Sequence, residues 1–446
     1  MNPTPTNQKD FGGLQQPGRF RFFFTGVMSV LFALLGANAL IAQVTYTSTT
    51  AGNWSTVTWS PAGTPGPADN VIINTNVTAN VVVDIATLTV NAGRTLTISS
   101  QDFSVSGATS ISGIMIDNNG TGSNTFAGTL TVNAGGTFNC TANSDYLFGG
   151  NLINNGTFTK GGAGTSTFDQ TLSLSGSSTF SFTGNMVVNN DAIVTSTATV
   201  NVVSGTLNGS NAGSTWVNGA GASLDYKNVN APMTSGVLDA SGLNNTVSYT
   251  GTSQTIRAAS YHHLTLGGSG TKTVPDVNIA GNLTRTAAIT FTATTVTFDS
   301  SNPGVYSFAA NQAFPNIVIN KPGGTLTFAA SGTRTTTATS ITIAAGTLNM
   351  GTTATTITNQ GDLSGAGALN MAGAAHTLNL GGETNAIASL VTAAGSGSST
   401  INYNRAGDQT LLASLNCKSI TLSGSGDKTL SGGTFVDGVL NFAANV

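Results

Sequence analysis

Charge is scarce in this chain: Asp, Glu, Lys and Arg make up 7% of its 446 residues, against about a quarter in an ordinary soluble protein. That scarcity excludes the clustered Lys and Arg needed to neutralise nucleic-acid phosphates. Glutamate is nearly missing, Glu383 being the single one. The aspartates are scattered; Asp225 with Asp239 and Asp427 with Asp437 are the nearest in sequence and read as turn formers. No local pair of carboxylates therefore offers the acid and base of a glycoside hydrolase. Cysteine is limited to Cys140 and Cys417, too few and too far apart for a disulfide scaffold. Histidine is limited to His262, His263 and His376. The adjacent pair is expected to point to opposite faces of a strand, at variable surface or corner positions, and so not to chelate one metal. No Asp run has the spacing of a calcium loop. The glycines of 267–270 and 424–426 open no helix and so lack a phosphate cradle. No catalytic residue, metal or cofactor is expected, and the chain is read as not an enzyme. Acidic residues meeting across distant segments would restore a carbohydrate-active enzyme as the alternative.

The first forty or so residues differ from the rest. Arg19 and Arg21 precede an apolar run from Phe22 to Leu35, and small residues follow at Ala37, Ala39 and Ala42. Positive flank, apolar stretch and small-residue exit are the parts of a secretory signal peptide, assigned to 1–42; the rival is an uncleaved anchor, since 20–41 is almost long enough to span a bilayer. Removal of the signal leaves 11 basic and 16 acidic groups. No second long apolar run exists, so no helical membrane body is expected after it.

What abounds is glycine, at 56 residues, together with Thr, Ser, Asn and Ala. Leu88-Thr-Val90-Asn-Ala-Gly93-Arg-Thr-Leu96-Thr-Ile98 matches Leu130-Thr-Val132-Asn-Ala-Gly135-Gly-Thr-Phe138-Asn-Cys140 further along. Each is an alternating strand, an Asn/Gly turn and a second strand. Cys140 takes the place of Ile98 and reads as a small buried apolar residue. A second family starts near 249: Tyr249…Gln254-Thr255…Tyr261…Leu264-Thr-Leu266…Lys272 is echoed by Tyr403…Gln409-Thr410…Cys417…Ile420-Thr-Leu422…Lys428. Weaker echoes at Ile317 and Leu369 fall between them, so that Leu264, Ile317, Leu369 and Ile420 follow one another at nearly even intervals.

Self-similarity of this kind marks a quasi-one-dimensional stack, and Asn and Gly suit its corners. We expect an all-β fold: a parallel β-solenoid, right-handed, drawn out into an elongated rod. At about 22 residues per coil and about 4.8 Å per coil, it has roughly 18 coils and a length near 90 Å. The rival, a string of Ig-like sandwiches, predicts a heavy aromatic core in each domain, yet the chain has three tryptophans. The expected divisions are signal peptide 1–42, capping segment 43–80, first repeat family 81–248 and second repeat family 249–446. Trp54 and Trp59 are suited to plug the open end of the stack; the alternative gives them contact with a glycan.

The opening Gly52-Asn-Trp54…Trp59…Pro61…Asp69-Asn-Val71-Ile-Ile73 resembles the start of large secreted surface proteins and adhesins of Bacteroidota, in which it leads into a parallel β-helix. The Tyr…Gln-Thr…Leu-Thr-Leu…Gly-Ser-Gly-x-Lys-Thr units are similar to repeats of such proteins. The resemblance implies secretion or an outer-cell-surface location, export by the type IX pathway, and an adhesin-like role toward glycans or cell-surface and matrix components. The sequence stops at Val446 inside a strand pattern with no sorting domain after it, which reads as a fragment or as anchoring from outside this sequence. A solenoid face of Thr-x-Thr strands also raises binding to ice or another ordered surface.

Overall fold

The computed structural model describes residues 43–443 except 100, 393–398, 414, 415 and 434. The signal-peptide assignment thus lies outside the described residues. The compact unit Val44–Val446 is an elongated, all-β solenoid of about 18 turns. Among the described residues no helix is long and apolar enough to cross a membrane.

Each full turn lays down three short strands, one on each of three faces, here named A, B and C. The strands are three or four residues long over most of the stack because a corner interrupts them, and their burial alternates strictly, as in Thr87–Val90 and Thr137–Cys140. Apolar side chains at every second position point inward, and Thr, Ser and Asn between them point out. Successive turns pair in parallel and in register. On face A, Leu88 lies on Thr109, which lies on Leu130, which lies on Leu152. The repeat that carries Leu88 onto Leu130 therefore spans two turns, with Thr109 between its two leucines.

On face B the inward column runs Leu96, Met115, Phe138, Phe158, Phe180. On face C it runs Val105, Phe126, Phe148, Phe168, Val188. The rings of Phe138 and Phe158 are stacked 4.6 Å apart with 6° between their planes. Such pairs add about 0.5–1.5 kcal/mol each beyond the area they bury, and the runs Phe138–Phe158–Phe180 and Phe126–Phe148–Phe168 place them at successive turns.

The second repeat family has a local mechanism. In one copy the Tyr249 hydroxyl accepts the Arg257 amide at 3.2 Å, and Gln254 Nε2 donates to the Tyr226 and Asn228 carbonyls. In the other, Tyr403 accepts the Leu412 amide at 3.1 Å, and Gln409 donates to the Leu380 and Gly382 carbonyls. One turn on, Lys272 pairs with Gln254 and Lys428 with Gln409, and each ammonium closes on corner carbonyls. The copies do not keep one face. Leu264 stands on face B above Leu283, Ile317 on face A above Ile341, Leu369 on face B below Leu348, and Ile420 on face C below Ile401. Their spacing is not a whole number of turns, so successive copies fall on different faces.

The stack begins at Thr45, inside the segment 43–80. Thr45–Ser48 pairs in parallel with Asn70–Ile73, and its other edge is covered by Trp59–Ser60. That second pairing is the one antiparallel ladder among the described residues. The ladder also runs unbroken through 248–249, with Asp225 on Ser248 and Ser248 on Thr265.

Face C is interrupted twice. Among the described residues no ladder joins Leu207–Gly209 to Gln254–Thr255, and none joins Ala288–Phe291 to the strand at 312–314. The turn at 230–235 replaces a strand at the first break.

Candidate functional site

The chemically densest cluster lies inside the rod. One inward column of face B reads Ile98, Asp117, Cys140, Lys160, Phe182. Cys140 does occupy the column of Ile98, two turns on, but its neighbours above and below are an acid and an amine. The Asp117 carboxylate accepts the Tyr146 hydroxyl at 2.7 Å, Asn124 Nδ2 at 2.9 Å and the Asn119 amide at 2.8 Å, with Cys140 Sγ at 3.5 Å. Lys160 Nζ donates to the Gly161 and Gly164 carbonyls and sits 5.6 Å from the Tyr146 ring centre. All four side chains are buried. Burial first, then the Asp117 charge, pushes the Cys140 thiol up to about 11. Burial pushes the Tyr146 phenol up and the Lys160 ammonium down. A buried cluster of this kind, bonded through every named group except Asn124 Oδ1, fixes the core and as placed lies away from solvent.

Buried cations recur. Lys272 Nζ donates to the Gly251, Thr252 and Ser269 carbonyls and to Gln254 Oε1. Lys321 Nζ reaches the Ala280 and Asn302 carbonyls. Among the described residues neither forms an ion pair, although the Asp299 charge acts on Lys321 from a distance; corner carbonyls of neighbouring turns neutralise both ammonium groups in part, and burial lowers both pKa values. These lysines tie corners together where a surface location would be the ordinary reading.

The thiols set a test. Cys140 and Cys417 should resist thiol reagents in the folded protein at neutral pH and react once it is unfolded in guanidinium. Burial pushes both thiols up to about 11 from an ordinary value of 9.0. Between those values the folded chain holds more protons than the unfolded one, so the thiols' stabilisation is complete below pH 9 and lost as pH rises through 11. The lysines act in the opposite sense, with folded values below 10.5, and their contribution is flat above that pH. A melting temperature that falls on titration above about pH 10.5 is expected, followed by differential scanning calorimetry.

Aspartates and asparagines at the corners work as staples. Asp102 accepts the Ser123 amide, Asp145 the Thr165 amide and Asp408 the Asp427 amide, each one turn away. Asn185 and Asn311 do the same for Thr206 and Thr335. Asp225 and Asp239 are not brought together: the first is on face B, paired with Lys227 at 3.6 Å, and the second on face A, bonded to Ser241. The side chain of Asp437 is outside the described residues.

Trp54 and Trp59 lie in the first turn, 2% and 4% exposed, with ring centres 4.9 Å apart. Trp54 also meets Phe103 edge-on at 6.2 Å. Both rings are part of the buried core of the first turn.

The histidine pair departs from expectation. The corner falls at His262, between strands Ser260–Tyr261 and His263–Leu266, so alternation breaks there. His262 is buried at 4% exposure and its ring stands 4.5 Å from that of His263. His263 Nδ1 accepts the Asn282 amide, and His376, also buried, accepts the Thr355 amide. Burial lowers the pKa of all three. Among the described residues no three His, Cys, Asp or Glu side chains gather around a common metal position.

What reaches the surface is regular. On face C of the later turns one outward column reads Thr335, Thr356, Thr377, Thr400, Ser419 and its neighbour reads Thr337, Thr358, Asn379, Asn402, Thr421. Asn379 Nδ2 donates to Thr358 Oγ1 at 3.0 Å and Asn402 Nδ2 to Asn379 Oδ1 at 3.3 Å. Adjacent turns place these groups about 4.8 Å apart across strands and about 6.6 Å along them. Comparison of the chain with family models, curated proteins and solved structures gave no match.

Proposed function

We propose that the chain is a non-catalytic extracellular adhesin or stalk that binds through its repetitive faces. The observation that supports this most is the pair of uncharged Thr/Asn columns held in register over five turns of face C. Each hydroxyl or amide makes one weak contact; a rigid row of them engages a repetitive partner many times at once, and avidity grows without a deep pocket. Glycans or matrix components of the cell exterior are the partners this chemistry suits. Export is supported by Arg19, Arg21 and the apolar run that follows them.

Immobilised glycans and matrix proteins probed with the full chain test the reading. Changing Thr356 and Thr358 together to Lys removes the Asn379-to-Thr358 hydrogen bond, should cost no more than about 2 kcal/mol, and should reduce retention at least severalfold. Undiminished retention by that variant would remove face C as the binding face.

The same columns favour one second reading, adsorption to an ordered surface such as ice, because Thr-x-Thr strands in register form a flat lattice of methyl and hydroxyl groups. Thermal hysteresis of the full chain decides it: a null result sinks this reading and leaves the first intact.

A further inference from the structure

The second interruption of face C is a seam with its own chemistry. Strand Ala288–Phe291 pairs with Thr271–Val274 on one side only, while the strand at 312–314 pairs onward with 336–338. Between them opens a cavity of about 420 Å³ lined by Arg285, Ile289, Phe291, Gln312, Phe314 and Pro315. The Phe291 and Phe314 rings stand 4.9 Å apart, 30° from parallel. Arg285 is 8% exposed and Gln312 6%.

Three carbonyls hold the guanidinium at the seam: Nε donates to Ala287, and Nη1 to Ala310 and Asn311. The buried Tyr306 hydroxyl stands beside the same guanidinium, and like the three carbonyls it carries no charge. No carboxylate is paired with Arg285; among the described residues the ion pairs are Lys227 with Asp225 and Arg405 with Glu383. Gln312 Oε1 is buried without a hydrogen-bond partner. A buried acceptor left unpaired costs about 1–3 kcal/mol, and a buried cation without a counter-charge costs more. Both costs are relieved by one ligand that brings an anion and a donor together.

Two other hollows lack this combination. The hollow at the first break is lined by Leu207, Asn208 and Ala231, with no charge and no ring. The hollow beside Asp276 carries a carboxylate and small polar groups.

We propose that the seam binds an acidic sugar residue, a uronate, through its carboxylate on Arg285, a hydroxyl on Gln312 Oε1, and its apolar ring face against the part-exposed Phe291, which Phe314 backs. A charge-assisted bond to guanidinium is about twice as strong as a neutral one. A monoanion fits better than phosphate, because the three carbonyls already around the guanidinium repel a second negative charge. The assignment rests on the non-catalytic binding reading and gives it a ligand class.

The test titrates the full chain with a short oligogalacturonate and with its methyl ester, by calorimetry, and assays the mixture for new reducing ends. The free acid should bind and the ester at least about tenfold more weakly, the worth of one charge-assisted bond. Gln312→Leu keeps the volume and Arg285 in place, and should weaken the acid about tenfold. Arg285→Gln should abolish the preference for acid over ester; circular dichroism confirms its fold, and Gln312→Leu carries the test alone if it misfolds. Equal binding of acid and ester, no binding of the acid, or full affinity in Gln312→Leu overturns the proposal. Retention of neutral glycans with no binding of the acid removes the seam and leaves the adhesin reading. New reducing ends at a bound acid remove the non-catalytic reading and leave the seam.

Discussion

Asp117→Ala is expected to loosen the turns around residues 98–160 and to cost about 3–5 kcal/mol, the range for stripping one partner from a buried charged network. The carboxylate is 2% exposed and is the acceptor for Tyr146, Asn124 and Asn119 at once. Its removal leaves three buried donors, each costing about 1–3 kcal/mol when unsatisfied. A neutral replacement of the whole column should behave differently. Asp117→Leu with Tyr146→Phe, Asn124→Leu and Lys160→Met removes the acceptor, two of its three donors and the buried amine, leaving only the Asn119 amide, and should cost clearly less than Asp117→Ala. Stacked repeats need not unfold all at once, so the readout is amide hydrogen exchange at 114–117 and 137–140 beside that at 246–249. Loss of protection confined to the first two segments is the expected pattern. Equal protection in Asp117→Ala and the parent chain would show that the column contributes little.

Gly128→Val should be as damaging, for a steric reason. Gly107, Gly128 and Gly150 stack at the corner between faces C and A, one per turn. A Cβ on Gly128 overlaps the carbonyl carbon and oxygen of Gly107, and a Cβ on Gly150 overlaps the same atoms of Gly128. Those atoms are corner backbone between two paired strands and cannot withdraw without shifting both strands, so the cost should exceed the usual cost of about 1–3 kcal/mol for an overpacked core. Gly120→Ala is the control. A Cβ there meets nothing within 4 Å, and the change should be neutral or stabilise by about 0.4–1 kcal/mol by restricting the unfolded chain. Urea midpoints of the two variants check the contrast.

The solenoid could be read from the chain because its signals are local: alternation in 88–90 and 96–98, Asn-Ala-Gly turns between them, and a second copy at 130–140. The same copy was enough to put Cys140 in the column of Ile98. The rest of the cluster could not be read. Asp117, Cys140 and Lys160 come from three successive turns, and their meeting depends on corner lengths that no short motif encodes. Lys272 and His262 were hidden for a related reason. A charged or polar residue in an alternating segment reads as outward, and only the register of the next turn reveals carbonyls waiting for it. The isolated aspartates likewise looked like turn residues; their bonds to the following turn appear only once the turns are stacked. The seam at Arg285 and Gln312 arises where two strands fail to pair, which leaves no trace in the pattern of either strand.

The measurement that bears most directly on the account immobilises a panel of polysaccharides and matrix proteins. It follows retention of the full chain and of Thr356→Lys/Thr358→Lys, with chemical analysis of whatever is released. Retention of the parent chain is expected, with a marked loss in the double variant while it stays folded, and no cleaved product from either. Chain-dependent release of cleaved product, or equal retention of both proteins, would contradict it.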